Sequence, residues 1–406
     1  MRRRFFSNKI SEKIDLSKNY FKIEALEDGL TAKLILTECE CEYCVNNGAW
    51  TRLSANTSTV SINKEDTLYF RGNLTPTSSS DGFGIGTFTI SKKYNVKGNI
   101  MSLLYGDDFE GQTDLVGKDY AFYKLFYNCT NIVNASELIL PATTLAKDCY
   151  SLMFRGCTGL TTAPELPATT LAESCYQNMF YGCTSLTEAP ELPATTLANY
   201  CYTSMFYGCT GLTTAPELPA TTLALSCYYY MFYGCTGLTT APELPATTLA
   251  DYCYYYMFRG CSKLNYIKML ATDVSARNCL SNWVSGVASS GTFIKHPNMT
   301  TLSSGESGIP EGWTVEDYVD NSSNLITFTI DGTEYQAEEG MTWGEWVESE
   351  YNNTDKYFIS YGFVKINISA GSTGFIGIES PISSSDAITP DNNYIILYLE
   401  GGGSND

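Results

Sequence analysis

Histidine is nearly absent from this chain of 406 residues, which has only His296. Catalytic triads, HExxH zinc sites and most general-base schemes need more raw material than that. Charge is also scarce, at 17% of residues, and one sign dominates: 25 Lys and Arg stand against 44 Asp and Glu, a net of −19. Such a balance repels phosphate backbones and anionic lipid, so nucleic acid and membrane surfaces are not expected as partners. No apolar run reaches the length of a bilayer span, and no membrane insertion is expected. The basic opening MRRRFFSNKISEKIDL runs into charged residues instead of an apolar stretch with a cleavage site, so no Sec-type signal peptide is read there. The expected compartment of synthesis is therefore reducing, and the cysteines are expected as free thiols.

What the chain does have is repetition. CTGLTTAPELPATTLA stands letter for letter at 157–172, 209–224 and 235–250, and with Ser185 and Glu188 changed at 183–198. The cysteines Cys157, Cys183, Cys209, Cys235 and Cys261 recur at a fixed period (183 − 157 = 26), and Cys149, Cys175, Cys201, Cys227, Cys253 and Cys279 form a second series. A period of this size marks units that bury their apolar faces only against their neighbours. In one copy Leu171, Cys175 and Met179 are spaced i, i+4, i+8, with Tyr176 and Phe180 on a neighbouring line, which predicts a short amphipathic helix capped by Gly182. Pro164 and Pro167 exclude helix from LTTAPELPATT and favour an extended segment. Each copy is thus expected to be strand, turn and helix, with its cysteines buried as small hydrophobes.

The phrase LTTAPELPATTLAESCYQNMFYGCTS resembles the BspA-like branch of leucine-rich repeats over about residues 125 to 280. It departs from that family in having CYxxMF where an Ala-Phe pair is usual, and Ala163 where a larger aliphatic is common. The resemblance implies a mixed α/β fold, a leucine-rich-repeat solenoid with a recognition role and no chemistry. It also implies the settings in which such repeats occur: surface proteins of gut Bacteroidales and structural proteins of their phages, crAss-like ones included.

The flanks read differently. Residues 1–20 form a basic arm, and 21–118 alternate apolar and polar residues around the hairpin signal Asn47-Gly48, as a β-sandwich-like domain would. The repeats and their C-terminal cap occupy 119–316, a Ser/Asn/Asp linker 317–324, and a small α+β domain 325–406. In that last domain strands are expected around Asp331-Gly332 and in NYIILYLE, with a helix placing Trp343, Val347 and Tyr351 on one face.

Three clusters invite a chemical reading and do not sustain it. CECEYC brings Cys39, Cys41 and Cys44 close, but a fourth ligand is missing and strand alternation turns Cys44 away from the other two. Asp107, Asp108, Glu110 and Asp114 offer oxygen for calcium without the EF-hand spacing. Nothing places the carboxylates Glu338 and Glu339 in a cleft. No catalytic residue, metal or cofactor is assigned.

The informative comparison is copy against copy. The proline phrase is held constant, while positions 173, 174, 177, 178 and 181 and their equivalents vary and grow rich in tyrosine. Tyr229, Tyr230, Tyr255 and Tyr256 form the densest patch, next to Tyr207 and Tyr233 on adjoining copies, and these six on the expected convex helical face are the candidate ligand-binding residues. Tyrosine supplies rigid amphipathic contact area, although drift at exposed positions would leave the same trace. The expectation is a non-enzymatic virion component, tail- or head-fibre-like. Its terminal domains would dock on other virion proteins, and its repeats would bind a host-surface glycan or protein. The alternative is a BspA-like adhesin on a bacterial cell surface. Self-association as a homo-oligomer is left open.

Overall fold

The computed structural model describes residues 13–36, 41–53, 59–79 and 82–319, and beyond them only the strands of the C-terminal part. Cys39, the arm up to residue 12, the Asp331-Gly332 turn and the helix expected at 341–351 lie outside the described residues. The chain divides into two units, Met1–Tyr318 and Val319–Asp406.

The first unit begins with ten strands: β1 (Lys22–Ala25), β2 (Leu30–Leu36), β3 (Cys41–Val45), β4 (Thr51–Leu53), β5 (Val60–Ile62), β6 (Thr67–Gly72), β7 (Thr77–Ser79), β8 (Gly82–Gly84), β9 (Gly86–Ile90) and β10 (Tyr94–Asn99). Helix α1 (Ser102–Tyr105) is four residues long and leads into a 3-10 turn at Gly106–Asp108. Strands β1, β3, β4, β6 and β10 share a six-stranded sheet with β11 (Ile132–Ile139), in the order β11-β10-β1-β6-β3-β4. A second sheet runs β5-β2-β9, and β7 pairs with β8. Asn47-Gly48 lies between β3 and β4, which pair antiparallel as that dipeptide signals. Ile23, Val96, Phe70 and Phe88 are among the side chains buried here, at 2% exposure or less. Arg71 ties the sheet to the 3-10 turn, donating to Glu42 at 2.8 Å and to Asp107 at 2.6 Å, with its guanidinium over the Trp50 ring.

Strand β11 belongs to the first repeat yet pairs in parallel with β10, so the N-terminal sheet hands its edge directly to the repeats. At the other end β12 (Tyr266–Met269), β13 (Thr292–Lys295) and β14 (Thr314–Asp317) form a three-stranded parallel sheet. Between these two sheets the proline phrases of successive copies pair only at isolated parallel bridges, such as Thr144 to Thr170, Thr170 to Thr196 and Thr196 to Thr222. Proline explains the difference. Each inner copy carries two prolines, for example Pro190 and Pro193, that remove backbone donors from the ladder. The copy holding β12 has none, and β11 ends before Pro141.

The expected mixed α/β solenoid of strand, turn and helix is therefore not the fold this chain adopts. Among the described residues strands dominate, and α1 is the single short α-helix. Segments 173–182 and their equivalents hold no helix but a chain of turns. Ser174, Asn178 and Gly182 take φ values of 56°, 56° and 73°, a left-handed residue at every fourth position that a right-handed helix cannot contain. Gly182 is thus one link in that series and not a helix cap. Alternate N–H groups turn back, as from Gln177 to the Ser174 carbonyl at 3.1 Å and from Met179 to Tyr176 at 3.1 Å. The others reach the next copy: Tyr176 to the Cys201 carbonyl at 3.0 Å, Asn178 to Thr203 at 2.9 Å and Phe180 to Met205 at 2.9 Å. This four-residue turn period yields the same i, i+4, i+8 apolar spacing that a helix shows.

The constant residues build columns. Phe126, Phe154, Phe180, Phe206, Phe232 and Phe258 stack in sequence at 5.2 to 5.7 Å, and Phe126 continues the column to Phe88 of the N-terminal sheets. A parallel column of Tyr150, Tyr176, Tyr202, Tyr228 and Tyr254 ends on Trp283, whose indole N–H donates to the Gly308 carbonyl at 2.8 Å. The fourteen described cysteines are all free and buried. Cys183, Cys209 and Cys235 each donate through Sγ to a phenylalanine carbonyl of the preceding copy at 3.1 Å.

In the second unit β15 (Leu325–Ile330) pairs antiparallel with β16 (Thr333–Glu338). Strands β17 (Ile359–Ser360), β18 (Phe363–Ile368), β19 (Ser372–Ile378) and β20 (Leu397–Leu399) form a four-stranded antiparallel sheet.

Candidate functional site

The turn chain decides which side chains of a copy point inward. Cys227, Tyr228, Met231 and Phe232 are buried at 1% exposure or less, while the intervening Tyr229, Tyr230 and Tyr233 are half-buried. The same holds one copy later for Tyr255 and Tyr256 and one copy earlier for Tyr207. With the helix gone the patch lies on no convex helical face; it lies on the outer edge of the turns.

The structure brings all six of these tyrosines into one network. Tyr207 stacks on Tyr233 at 4.5 Å and 3°. Tyr229 stacks on Tyr255 at 4.9 Å and 4°, and Tyr230 on Tyr256 at 4.9 Å and 2°. The rows are joined sideways by tilted contacts: Tyr230 with Tyr233 at 5.4 Å, Tyr229 with Tyr230 at 4.5 Å and Tyr255 with Tyr256 at 4.3 Å. Burial pushes the Tyr207 and Tyr230 hydroxyls up to about 12, and the neighbouring phenols add to the rise. Both therefore stay protonated at neutral pH, able to donate and accept hydrogen bonds.

Tyr230 and Tyr256 hold φ at 56° and 57°, a conformation that costs a bulky residue about 1–3 kcal/mol. Asn178 and Asn282 fill the same position in flanking copies, and asparagine adopts that geometry more readily. Leu152 and Lys124 show that other bulky residues also accept it, so this geometry belongs to the turn chain and is not particular to the tyrosines.

Several partners of this network escaped the sequence reading. Tyr181 stacks on Tyr207 at 4.4 Å and 3°, and Tyr252 meets Tyr255 at 5.7 Å. Arg155 lies over Tyr181, Arg259 over Tyr256, and the Asn282 amide reaches the Tyr256 hydroxyl at 3.5 Å. The signal was available, because Arg155, Tyr181, Tyr207, Tyr233 and Arg259 occupy one position in successive copies.

The proline phrase forms the other repetitive surface. Thr169, Thr195 and Thr221 are exposed, as are Glu165, Glu191 and Glu217. The Thr213 hydroxyl donates to the Thr187 carbonyl at 3.2 Å, so some hydroxyls of this surface are spent on neighbouring copies.

In the two clusters with metal-like spacing, Cys41 and Cys44 are buried in β3, and Asp107 accepts from Tyr20 and Arg71. His296 accepts the Asn298 N–H at 3.1 Å through Nδ1. Among the described residues no group of three or more His, Cys, Asp or Glu is placed to hold a metal ion.

No curated protein and no solved structure matches the chain. The family model of the BspA type leucine rich repeat region matches residues 123–239 and 176–282, with six copies. The repeats of this chain, within which the six tyrosines fall, are thus similar to BspA-type leucine-rich repeat regions.

Proposed function

We propose that the chain is a non-enzymatic recognition protein whose repeats bind a host-surface glycan or protein through the tyrosine network. The observation that carries this reading is the partition of each copy. Stacked columns of Cys, Tyr, Met and Phe are constant inside, while the outer turn positions change from copy to copy and converge on six touching tyrosines. Drift alone does not require that convergence. Tyrosine is also enriched where binding energy concentrates. The match to leucine-rich repeats, a family that is typically non-enzymatic, supports the same reading.

In the first setting the protein is a bacteriophage virion component, fibre-like, held to other virion proteins by its terminal domains. In the second it is a BspA-like adhesin on a bacterial surface, which the family match favours. Antibody labelling of purified particles and of intact bacteria separates the two, since only the compartment that holds the protein is decorated.

The binding reading is tested by changing Tyr229, Tyr230, Tyr255 and Tyr256 together to Ser and measuring attachment to host-envelope extract, with circular dichroism to check the fold. Attachment falls if the network is the site. Changing Thr169, Thr195 and Thr221 to Ser leaves it intact. The reverse pattern moves the site to the proline phrase.

A further inference from the structure

The row of stacked tyrosines Tyr181, Tyr207 and Tyr233 is bounded by arginine at both ends, with Arg155 one copy before and Arg259 one copy after. The Arg155 guanidinium carbon lies 4.3 Å from the Tyr181 ring centroid, and that of Arg259 lies 4.8 Å from the Tyr256 centroid. Two other basic residues of these turn segments are paired with carboxylates. Lys147 pairs with Glu173 at 2.9 Å and Arg277 with Asp251 at 3.4 Å. Among the described residues Arg155 and Arg259 take part in neither of these ion pairs, and their ring contacts leave the guanidinium charge uncompensated. The four proline phrases carry Glu165, Glu188, Glu191, Glu217 and Glu243 and no basic residue. In a chain of net charge −19, unpaired positive charge is thus gathered at the tyrosine rows.

Two further features define what fits there. The backbone N–H groups of these turns are spent, alternately on the carbonyl three residues back and on the next copy, so an extended peptide has no donors with which to add as a strand. The ring faces of Tyr181, Tyr207 and Tyr233 are spent on one another, at 4.4 and 4.5 Å, which leaves ring edges and phenol hydroxyls, not ring faces, for a ligand. Recognition on this surface is by phenol hydroxyls along a line and guanidinium groups at its ends. Four copy-to-copy steps separate Arg155 from Arg259, roughly 19 Å at about 4.8 Å per step.

We propose that this surface binds an acidic polysaccharide. The sugar hydroxyls meet the row of phenols, and the carboxylate or sulfate groups meet Arg155 and Arg259. The proposal rests on the reading of the tyrosine network as a recognition site and narrows its ligand to one chemical class. A guanidinium pairing with a carboxylate or sulfate supplies the charge-assisted hydrogen bonds that a neutral glycan lacks.

The test uses the full chain on immobilised polygalacturonate and carrageenan, with neutral dextran and poly-glutamate as comparators. Retention on the two acidic polysaccharides is expected, weakening as salt rises, with little on dextran or poly-glutamate. The double variant R155Q/R259Q should lose at least about tenfold in affinity, the equivalent of one charge-assisted hydrogen bond. Equal retention on dextran overturns the proposal, and so does binding to the acidic polysaccharides that ignores salt, which needs no variant to be seen. Stronger retention on poly-glutamate overturns it in favour of an acidic protein segment. If neither acidic polysaccharide binds while the tyrosine-to-serine variant still loses envelope attachment, the ligand class is wrong and the recognition site stands. If the tyrosine variant also keeps its attachment, the recognition reading itself fails.

Discussion

Phe180 stacks on Phe206 with ring centroids 5.7 Å apart and planes 5° from parallel. The step repeats from Phe206 to Phe232 at 5.6 Å, so each ring is packed on both faces by the same residue of a neighbouring copy. Truncating one ring opens a gap that neither neighbour can close, because Phe180 and Phe232 are each held on the far face by the next ring of the column. Phe206→Ala should cost about 3–5 kcal/mol, the range for large-to-small changes at buried aromatics. Chemical denaturation of the variant measures it, and a loss under 1 kcal/mol would show that the column relaxes.

Removal of a whole copy should be tolerated. Deleting residues 183–208 joins Gly182 to Cys209, which stands where Cys183 stood, and every bridge and column finds an equivalent partner. Deleting 13 residues instead, half a copy, sets turn segments against proline phrases. The first variant should melt cooperatively and the second should not. Similar melting of both would mean that register between copies does not hold the region together.

Alkaline pH should unfold the repeats. Burial raises the hydroxyls of Tyr150, Tyr176, Tyr202, Tyr228 and Tyr254 well above the ordinary value of 10. A folded pKa above the unfolded one means that the unfolded chain releases the proton first. This contribution is therefore complete below about pH 10 and is lost as pH rises beyond it. Absorbance at 295 nm should show these phenols ionising only as circular dichroism is lost. Ionisation near pH 10 with the fold intact would contradict the column.

The thiols should resist alkylation for the same reason. Cys183 and Cys235 are raised well above the ordinary 9, and Cys175, Cys209 and Cys261 are raised to about 12, in each case chiefly by burial. A thiol held protonated and out of water is a poor nucleophile. Iodoacetamide at neutral pH should label few repeat cysteines in the native protein and all of them in denaturant. Mass spectrometry that found repeat peptides linked by disulfides would contradict the free thiols seen here.

Much of this was readable in the sequence, and the part that was not has a definite physical cause. The period, the buried Cys, Tyr, Met and Phe and the outward tyrosines followed from letter-by-letter comparison of the copies, because stacking forces identical residues into contact. The conformation linking them did not follow. Met179 and Cys183 sit four residues apart in this chain of turns, just as they would on a helix, and apolar spacing alone does not separate the two. The discriminating residues were Asn178 and Gly182, one type that tolerates left-handed backbone and one that favours it, placed at the turn period. The arginines on the tyrosine rows were missed because the comparison weighed aromatic content and left charge aside.

The pairing of β10 with β11 also bears on how the chain reaches its fold. Four nearly identical phrases can dock on the wrong neighbour, one whole copy out of step, with almost no energetic penalty, a degeneracy the phrases themselves cannot remove. The N-terminal sheet is unlike any repeat and is complete, apart from β11, before the first phrase is synthesised. The growing chain adds to its edge at β10, where β11 pairs in parallel. Folding that follows synthesis from the N-terminus then lays down each copy on the one before it, and vectorial growth supplies the ordering information that the repeated letters lack.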